Sequence, residues 1–252
     1  MIRVTKIQIP GMETQKPRRL YVYLPKDYES SERRYPVLYM FDGHNVFYNS
    51  HATYGKSWGM KEYLEKTKLP LILVAVECNP EGHRRMNEYA PWDLHIPRHG
   101  TWEGLGKQTM EWFVNSLKPE IDRNYRTLPD RAHTMIAGSS MGGLMTLYAV
   151  AAYPEVFSRG AALSPSLWAG GKELKELIRD SAFEKRTMIY LDLGTAEVRE
   201  KRRPLTALFR TAEALTKAGA DVDARVVPDA EHNEAAWEKR IPVFMEYLYP
   251  KD

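Results

Sequence analysis

The chain has 252 residues, of which 43% are apolar and 27% charged, and its 36 basic and 33 acidic side chains leave a net charge of +3. This length and composition predict one globular domain spanning residues 1–252. The nearly balanced charge, without a basic stripe, argues against nucleic-acid binding. A mean hydropathy of −0.50 argues against a membrane protein.

Eight stretches of the chain have the patterns of β-strands. The first two alternate apolar and polar residues, whereas most of the later ones are short apolar runs typical of strands buried on both faces. In chain order, the predicted strands are 2–9, 19–24, 36–41, 69–76, 134–137, 159–164, 187–193 and 222–227.

Helical periodicity occupies most of the segments between the later strands. The predicted helices are 56–66, 104–125, 141–153, 172–179, 204–218 and 233–249. Residues 79–103 form a long polar and aromatic segment between the fourth strand and the second helix. Loops of this length are usually functional or disordered, and the aromatic content argues against disorder, so we predict a functional loop there.

The order of these elements indicates the fold class. A leading pair of strands followed by strict alternation of strand and helix predicts an α/β fold, with a mainly parallel central sheet and helices on both faces. In such sheets, ligands bind in the loops at the carboxyl ends of the strands. Each catalytic residue is therefore expected directly after a strand.

Two further features concern the environment of the protein. Cys78 is the only cysteine, which excludes an intrachain disulfide and a cysteine-rich metal site, and the apolar run before it predicts a buried thiol. The first residues alternate apolar and charged side chains and contain no continuous apolar segment of the kind found in a signal peptide. We therefore expect a cytoplasmic location.

The segment Gly138-Ser139-Ser140-Met141-Gly142 lies between a predicted strand and a predicted helix. A G-x-S-x-G pattern in that position is typical of a nucleophile elbow, a sharp turn that exposes one serine. The two glycines keep side chains away from the crowded turn. The pattern predicts Ser140 as a nucleophile, and it leaves Ser139 as a turn residue.

A serine hydroxyl needs a neighbouring base, and the base needs an acid to orient it. His232 is the only histidine after Ser140, and it lies between the last predicted strand and the last predicted helix. In this fold type the acid precedes the histidine in the chain. Glu197 directly follows strand 187–193 and is the favoured acid, whereas Asp192 lies within that strand and is its rival.

Ester cleavage also requires N–H donors for the negative charge that develops on the carbonyl oxygen. The N–H of Met141, at the start of the helix after the nucleophile, is one predicted donor. The second is expected from the loop after strand 36–41. Because Gly43 allows the backbone to turn closely there, we favour the N–H of His44, with Gly43 as the alternative.

Five segments carry a resemblance to a known family, and they occur in the same order. They are Leu38-Tyr-Met-Phe-Asp-Gly-His-Asn45, Glu88-Tyr-Ala-Pro-Trp92, Gly138-Ser-Ser-Met-Gly-Gly-Leu144, Gly194-Thr-Ala-Glu197 and Glu231-His-Asn-Glu-Ala-Ala-Trp237. Together they resemble the putative-esterase family of α/β-hydrolases, in its enterochelin-esterase-like and feruloyl- and acetyl-esterase-like branch. The resemblance implies the α/β-hydrolase fold, carboxylic-ester hydrolysis and the triad Ser140, Glu197 and His232.

The resemblance leaves the substrate open between an acetyl- or feruloyl-type sugar ester and a siderophore trilactone. Three aromatic side chains are candidates for the substrate walls, because aromatic faces suit sugars and phenolic groups, although aromatic residues in such loops also serve as plain packing. These are Tyr89 and Trp92 in segment 79–103, and Trp168 after strand 159–164.

Two alternatives to a hydrolase keep the same fold. An acyltransferase would use the same triad and pass the acyl group to another alcohol, and a non-catalytic protein would use the fold for binding alone. The chain contains no H-E-x-x-H motif and no carboxylate cluster with the spacing of metal ligands, and the serine mechanism needs no metal, so we expect no metal and no cofactor. The expected partner is a small-molecule ester, and the sequence does not specify an oligomeric state.

Overall fold

The computed structural model describes residues 1–96, 100–181, 183, 186–198 and 202–249. Ten strands lie within these residues. They are β1 (Ile2–Ile7), β2 (Arg18–Tyr23), β3 (Val37–Met40), β4 (Ile72–Val76), β5 (Leu94–Ile96), β6 (Gly100–Trp102), β7 (Thr134–Ser139), β8 (Arg159–Leu163), β9 (Met188–Gly194) and β10 (Asp221–Val227).

Eight of these strands form one sheet in the order β1-β2-β4-β3-β7-β8-β9-β10. Strand β2 is antiparallel to β1 and to β4, and every other neighbouring pair in this sheet is parallel. The predicted α/β fold with a mainly parallel sheet of about eight strands is therefore confirmed. Strands β5 and β6 form a separate antiparallel pair.

Helices cover both faces of this sheet. The described α-helices are α1 (Met60–Thr67), α2 (Arg84–Glu88), α3 (Gly106–Trp112), α4 (Lys118–Asn124), α5 (Met141–Ala152), α6 (Gly171–Asp180), α7 (Thr195–Val198), α8 (Arg202–Lys217), α9 (Glu234–Glu238) and α10 (Ile241–Leu248). Apolar residues of α1, α9 and α10 pack on one face, and those of α3 to α6 and α8 pack on the other.

The strand residues alternate between these two cores. Val37 and Tyr39 of β3 face the core beneath α5, whereas Leu38 and Met40 face the core beneath α10, and all four are buried. This alternation is what a strand covered on both faces requires, since successive side chains point to opposite sides of the sheet.

Two predicted segments differ from the structure. The predicted loop 79–103 is wrong in part, because it contains α2, β5 and β6, although residues 97–99 lie outside the described part. The predicted helix 233–249 is divided into α9 and α10. Pro242 lies in the first turn of α10, where a missing N–H costs nothing, so the chain begins a new helix there.

The carboxyl ends of the parallel strands place several polar residues at one edge of the sheet. Asp42 follows β3, Ser140 follows β7, Ser164 follows β8 and Glu197 lies in α7 directly after β9. His232 follows β10 by a short loop. None of the described helices has the length and apolar character needed to cross a bilayer.

Candidate active site

The turn between β7 and α5 holds Ser140 in a strained conformation. Its φ of 58° and ψ of −120° are rarely adopted by residues other than glycine. Two backbone hydrogen bonds fix the turn: the N–H of Ser140 donates to Leu163 O at 3.0 Å, and the N–H of Ser166 donates to Ser140 O at 2.9 Å. A Cβ on Gly138 would lie 2.7 Å from the backbone of Gly142, so the elbow requires a glycine there.

Ser140 and His232 line the same cleft, which has a volume of about 900 Å³. The hydroxyl of Ser140 faces Ser166, with 3.3 Å between the two Oγ atoms. The hydrogen bonds of the described residues do not include one between Ser140 and His232. Hydrogen bonds of this kind are often long or poorly aligned until substrate binds.

His232 is held by Glu197. Nδ1 of the half-exposed imidazole lies 2.7 Å from Oε2 of the buried Glu197 carboxylate. Because an ionised carboxylate can only accept hydrogen bonds, the proton lies on Nδ1, and Nε2 of the neutral ring is left as the base. Burial alone would raise the pKa of Glu197, but the hydrogen bonds from His232, Ser164 and Gly194 outweigh it and hold this pKa below its usual range.

Asp192, the rival acid, does not contact His232 in this way. It is completely buried, and its Oδ1 lies 2.8 Å from Nη1 of Arg240, while its Oδ2 accepts from the hydroxyl of Tyr190 at 2.7 Å. Burial raises the pKa of Asp192, and the Arg240 guanidinium partly offsets that rise. The structure thus brings Glu197, and not Asp192, to the imidazole.

The loop after β3 approaches the elbow. Asp42 has a left-handed φ of 56°, and the chain then makes one 3-10 turn that contains His44. A Cβ on Gly43 would lie 2.7 Å from the backbone of Ala75, so only glycine lets the loop lie this close to β4. Met141 begins α5, where the first N–H groups have no partner within the helix.

Comparison with known families gives one match over most of this chain. Residues 11–247 match the model of the family described as "Putative esterase". The chain belongs to the putative esterase family. The esterase therefore has the α/β-hydrolase fold and is a carboxylic ester hydrolase.

Two relatives of this esterase differ in length. The uncharacterized protein YbbA of Bacillus subtilis (strain 168) is 26% identical over 246 residues, which cover 93% of this chain and 94% of YbbA. The endo-1,4-beta-xylanase/feruloyl esterase of Xylanibacter ruminicola is 27% identical over 245 residues, which cover 94% of this chain but only 30% of that larger protein.

Solved structures show the same fold as the esterase. An IroE-like serine hydrolase from Shewanella oneidensis is similar with a TM-score of 0.76 and 19% identity over 98% of this chain and 79% of the other. The BES protein from Bacillus cereus is similar with a TM-score of 0.75 and 18% identity, over 99% of this chain and 95% of the other.

The three aromatic residues predicted as substrate walls occupy different places in the esterase. Tyr89 is 1% exposed and accepts a hydrogen bond from the N–H of Asp42 at 3.1 Å, so it supports the loop after β3 from beneath. Trp92 packs edge-on against Tyr148, with the ring centroids 5.7 Å apart. Trp168 is 65% exposed and lines a separate apolar cavity of about 300 Å³.

One group of described residues could offer three ligands to a metal ion. Side-chain ligand atoms of Asp42, His44 and Cys78 lie within 4.8 Å of one another. Both oxygens of Asp42 are already bound by Arg85, and burial raises the pKa of the Cys78 thiol well above its usual range. The positive charge of Arg85 and the protonated thiol of Cys78 both oppose metal binding.

Arg85, which sequence reasoning did not assign to the site, forms a bidentate ion pair with Asp42. Nε and Nη2 each lie 2.7 Å from one carboxylate oxygen. Burial alone would raise the pKa of Asp42, but the guanidinium outweighs it and lowers this pKa. The ion pair stabilises the loop that contains His44. The sequence did not predict it, because no local pattern links residues 43 positions apart.

Replacing Arg85 by methionine is expected to destabilise the esterase by about 2 kcal/mol at pH 7, since Asp42 would be left buried without its partner. This value is below that of a fully buried pair because Arg85 is 30% exposed. The lowered pKa of Asp42 gives stability that is present above about pH 4 and lost as the pH falls further. The difference in free energy of unfolding between the wild type and Arg85→Met should therefore become smaller as the pH falls below about 4.

Urea unfolding at pH 7 and near pH 3 measures this difference. Arg84→Met is the matched control, because Arg84 is the exposed neighbour and shares none of the hydrogen bonds to Asp42. Equal stability of Arg85→Met and Arg84→Met at pH 7 would contradict the role of the pair.

Proposed function

We propose that the chain is a serine esterase that works through Ser140, His232 and Glu197. Nε2 of His232 removes the Ser140 proton, Oγ attacks the ester carbonyl, and the N–H groups of His44 and Met141 stabilise the oxyanion. His232 then donates its proton to the leaving alcohol. Water, activated by the same imidazole, hydrolyses the acyl-enzyme and restores Ser140.

The observation that carries this proposal is the bond of 2.7 Å between His232 Nδ1 and Glu197 Oε2, in the cleft that Ser140 also lines. Glu197 stabilises the imidazolium that forms when His232 takes the proton. The strained turn at Ser140 supports the same role, because strained residues persist where function requires them.

The charges around the cleft favour a neutral substrate. The two described Lys or Arg side chains that line it are already paired: Arg85 with Asp42, and Lys56 with Glu238 at 2.7 Å. A siderophore catecholate would bring several negative charges to a cleft without an unpaired Lys or Arg. Hydroxyl-rich sugar esters carry no such charge and can donate to carboxylates such as Glu234.

We therefore propose an acetyl- or feruloyl-type sugar ester as the substrate and a siderophore trilactone as the second candidate. The exposed ring of Tyr54 at the cleft offers a face for a sugar or a phenolic group. The Xylanibacter relative is named an endo-1,4-beta-xylanase/feruloyl esterase, and this chain matches 30% of its length.

A fluorophosphonate probe tests the nucleophile without knowledge of the substrate. We expect one modified peptide that contains Ser140, found by mass spectrometry, and no labelling after heat denaturation. Modification at another serine, or none, would reject the assignment. Rates with acetylated sugars, feruloylated sugars and a catechol trilactone then rank the substrates, and a trilactone that is turned over fastest would reverse the proposed order.

A further inference from the structure

The hydroxyl of Ser164 lies at the centre of a buried polar cluster behind the site. It accepts hydrogen bonds from Nε1 of Trp237 and Nη1 of Arg240, both at 3.1 Å. It also lies 2.6 Å from Oε1 of Glu197. Ser164 is 2% exposed, and its backbone has a left-handed φ of 46°, which is unusual for a serine.

The chemistry of a hydroxyl group sets the direction of these bonds. A serine hydroxyl has one proton and two lone pairs. Trp237 and Arg240 can only donate, so they occupy both lone pairs of Ser164. The single proton must therefore point to Glu197, which as a carboxylate can only accept.

Glu197 is thus held through one oxygen and presented through the other. Oε1 receives the Ser164 hydroxyl at 2.6 Å and the N–H of Gly194 at 2.8 Å, and Arg240 adds an ion pair at 3.5 Å. Oε2 is left for Nδ1 of His232 at 2.7 Å. This division orients the carboxylate toward the imidazole.

Arg240 serves two buried acids at once. The closest contact of its guanidinium is with Asp192 at 2.8 Å, and it is itself only 3% exposed. Without this cation the carboxylates of Asp192 and Glu197 would lie near each other in a buried site, where like charges oppose ionisation. The hydroxyl of Tyr190 donates a hydrogen bond to Oδ2, the carboxylate oxygen of Asp192 that Arg240 does not contact.

We propose that Ser164 is a positioning residue for the acid of the triad, locked into its donor role by Trp237 and Arg240. The proposal rests on the serine-esterase function proposed above. Ser164 touches neither the imidazole nor the reacting atoms in the structure, and it acts by directing Glu197. Its effect is expected in the chemical step, because substrate contacts in the cleft are unchanged.

Removing the Ser164 hydroxyl tests the proposal. Ser164→Ala is expected to lower kcat for a short-chain p-nitrophenyl ester by about 10- to 100-fold, the effect of one hydrogen bond to a charged group. KM should stay within about twofold. Ser164→Gly removes the same hydroxyl and tolerates the left-handed φ, so it keeps the test valid if the alanine variant does not fold.

Ser158→Ala is the matched control. Ser158 lies just before β8, is equally buried at 1% exposed, and donates to Arg131 O at the opposite edge of the sheet. We expect its kcat to equal that of the wild type. The proton on His232 Nδ1 gives a second readout by NMR, and its resonance should move upfield in Ser164→Ala and Ser164→Gly but not in Ser158→Ala.

Two outcomes would overturn the proposal: a kcat of both Ser164 variants equal to that of Ser158→Ala, or a rise in KM with kcat unchanged. Failure of the serine-esterase proposal gives a different result, because wild-type protein would then not react with the fluorophosphonate. An active, labelled wild type with unaffected Ser164 variants rejects the positioning role alone.

Discussion

Ser140→Ala is expected to lower kcat for a p-nitrophenyl ester by about 10⁴- to 10⁶-fold, the range found when a member of a serine triad is removed. Without Oγ there is no acyl-enzyme, and only binding and the oxyanion donors can accelerate hydrolysis. Alanine can occupy the strained backbone about as well as serine does, so the variant should unfold at nearly the wild-type temperature.

Steady-state kinetics and thermal unfolding of the same sample separate loss of chemistry from loss of fold. Ser158→Ala is again the control for removal of a buried hydroxyl. A folded Ser140→Ala protein that keeps more than about a tenth of the wild-type kcat would exclude Ser140 as the nucleophile, since such a loss is far below that of a triad member.

Glu197→Gln is expected to lower kcat by about 10³- to 10⁴-fold near neutral pH, because the amide cannot stabilise the imidazolium and its NH₂ group favours the wrong tautomer of His232. The hydrogen bonds that lower the pKa of Glu197 keep this acid ionised throughout the neutral range in the wild type. Protonation of Glu197 should therefore make no contribution to the loss measured between pH 6 and 8.

Asp192→Asn tests the rival acid in the same assay. Asparagine keeps the size of the side chain and can still accept from Arg240, so we expect a smaller loss of kcat than in Glu197→Gln. Because Arg240 would lose its closest counter-charge, the change should appear mainly as lower stability in urea unfolding. A larger loss of kcat in Asp192→Asn than in Glu197→Gln would reverse the two roles.

The elements of the fold and the candidate triad were predictable because their signals are local. The apolar run of β7, the elbow around Ser140 and the small residues of α5 lie next to one another in the chain. His232 and Glu197 each follow a strand, and parallel strands bring such positions to one edge. The position of each residue relative to the predicted strands was therefore enough to predict the candidate triad.

The supporting contacts were not predictable because they join distant residues. Asp42 and Arg85 are 43 positions apart, and Ser164 and Arg240 are 76 positions apart. Neither arginine lies in a recognisable motif, and an arginine is more often found at the surface than buried. The sequence left open whether Tyr89 packs in the core or lines the substrate site, since an aromatic residue in a segment without periodicity has no pattern to reveal its environment.

The position of Arg240 in the chain has a consequence for biosynthesis. A growing chain emerges with its amino terminus first, so the proposed nucleophile at position 140 is made before the proposed base at 232 and before Arg240, which contacts Glu197. The proposed triad and its supporting arginine are therefore complete only after the residues of α9 and the start of α10 have been synthesised.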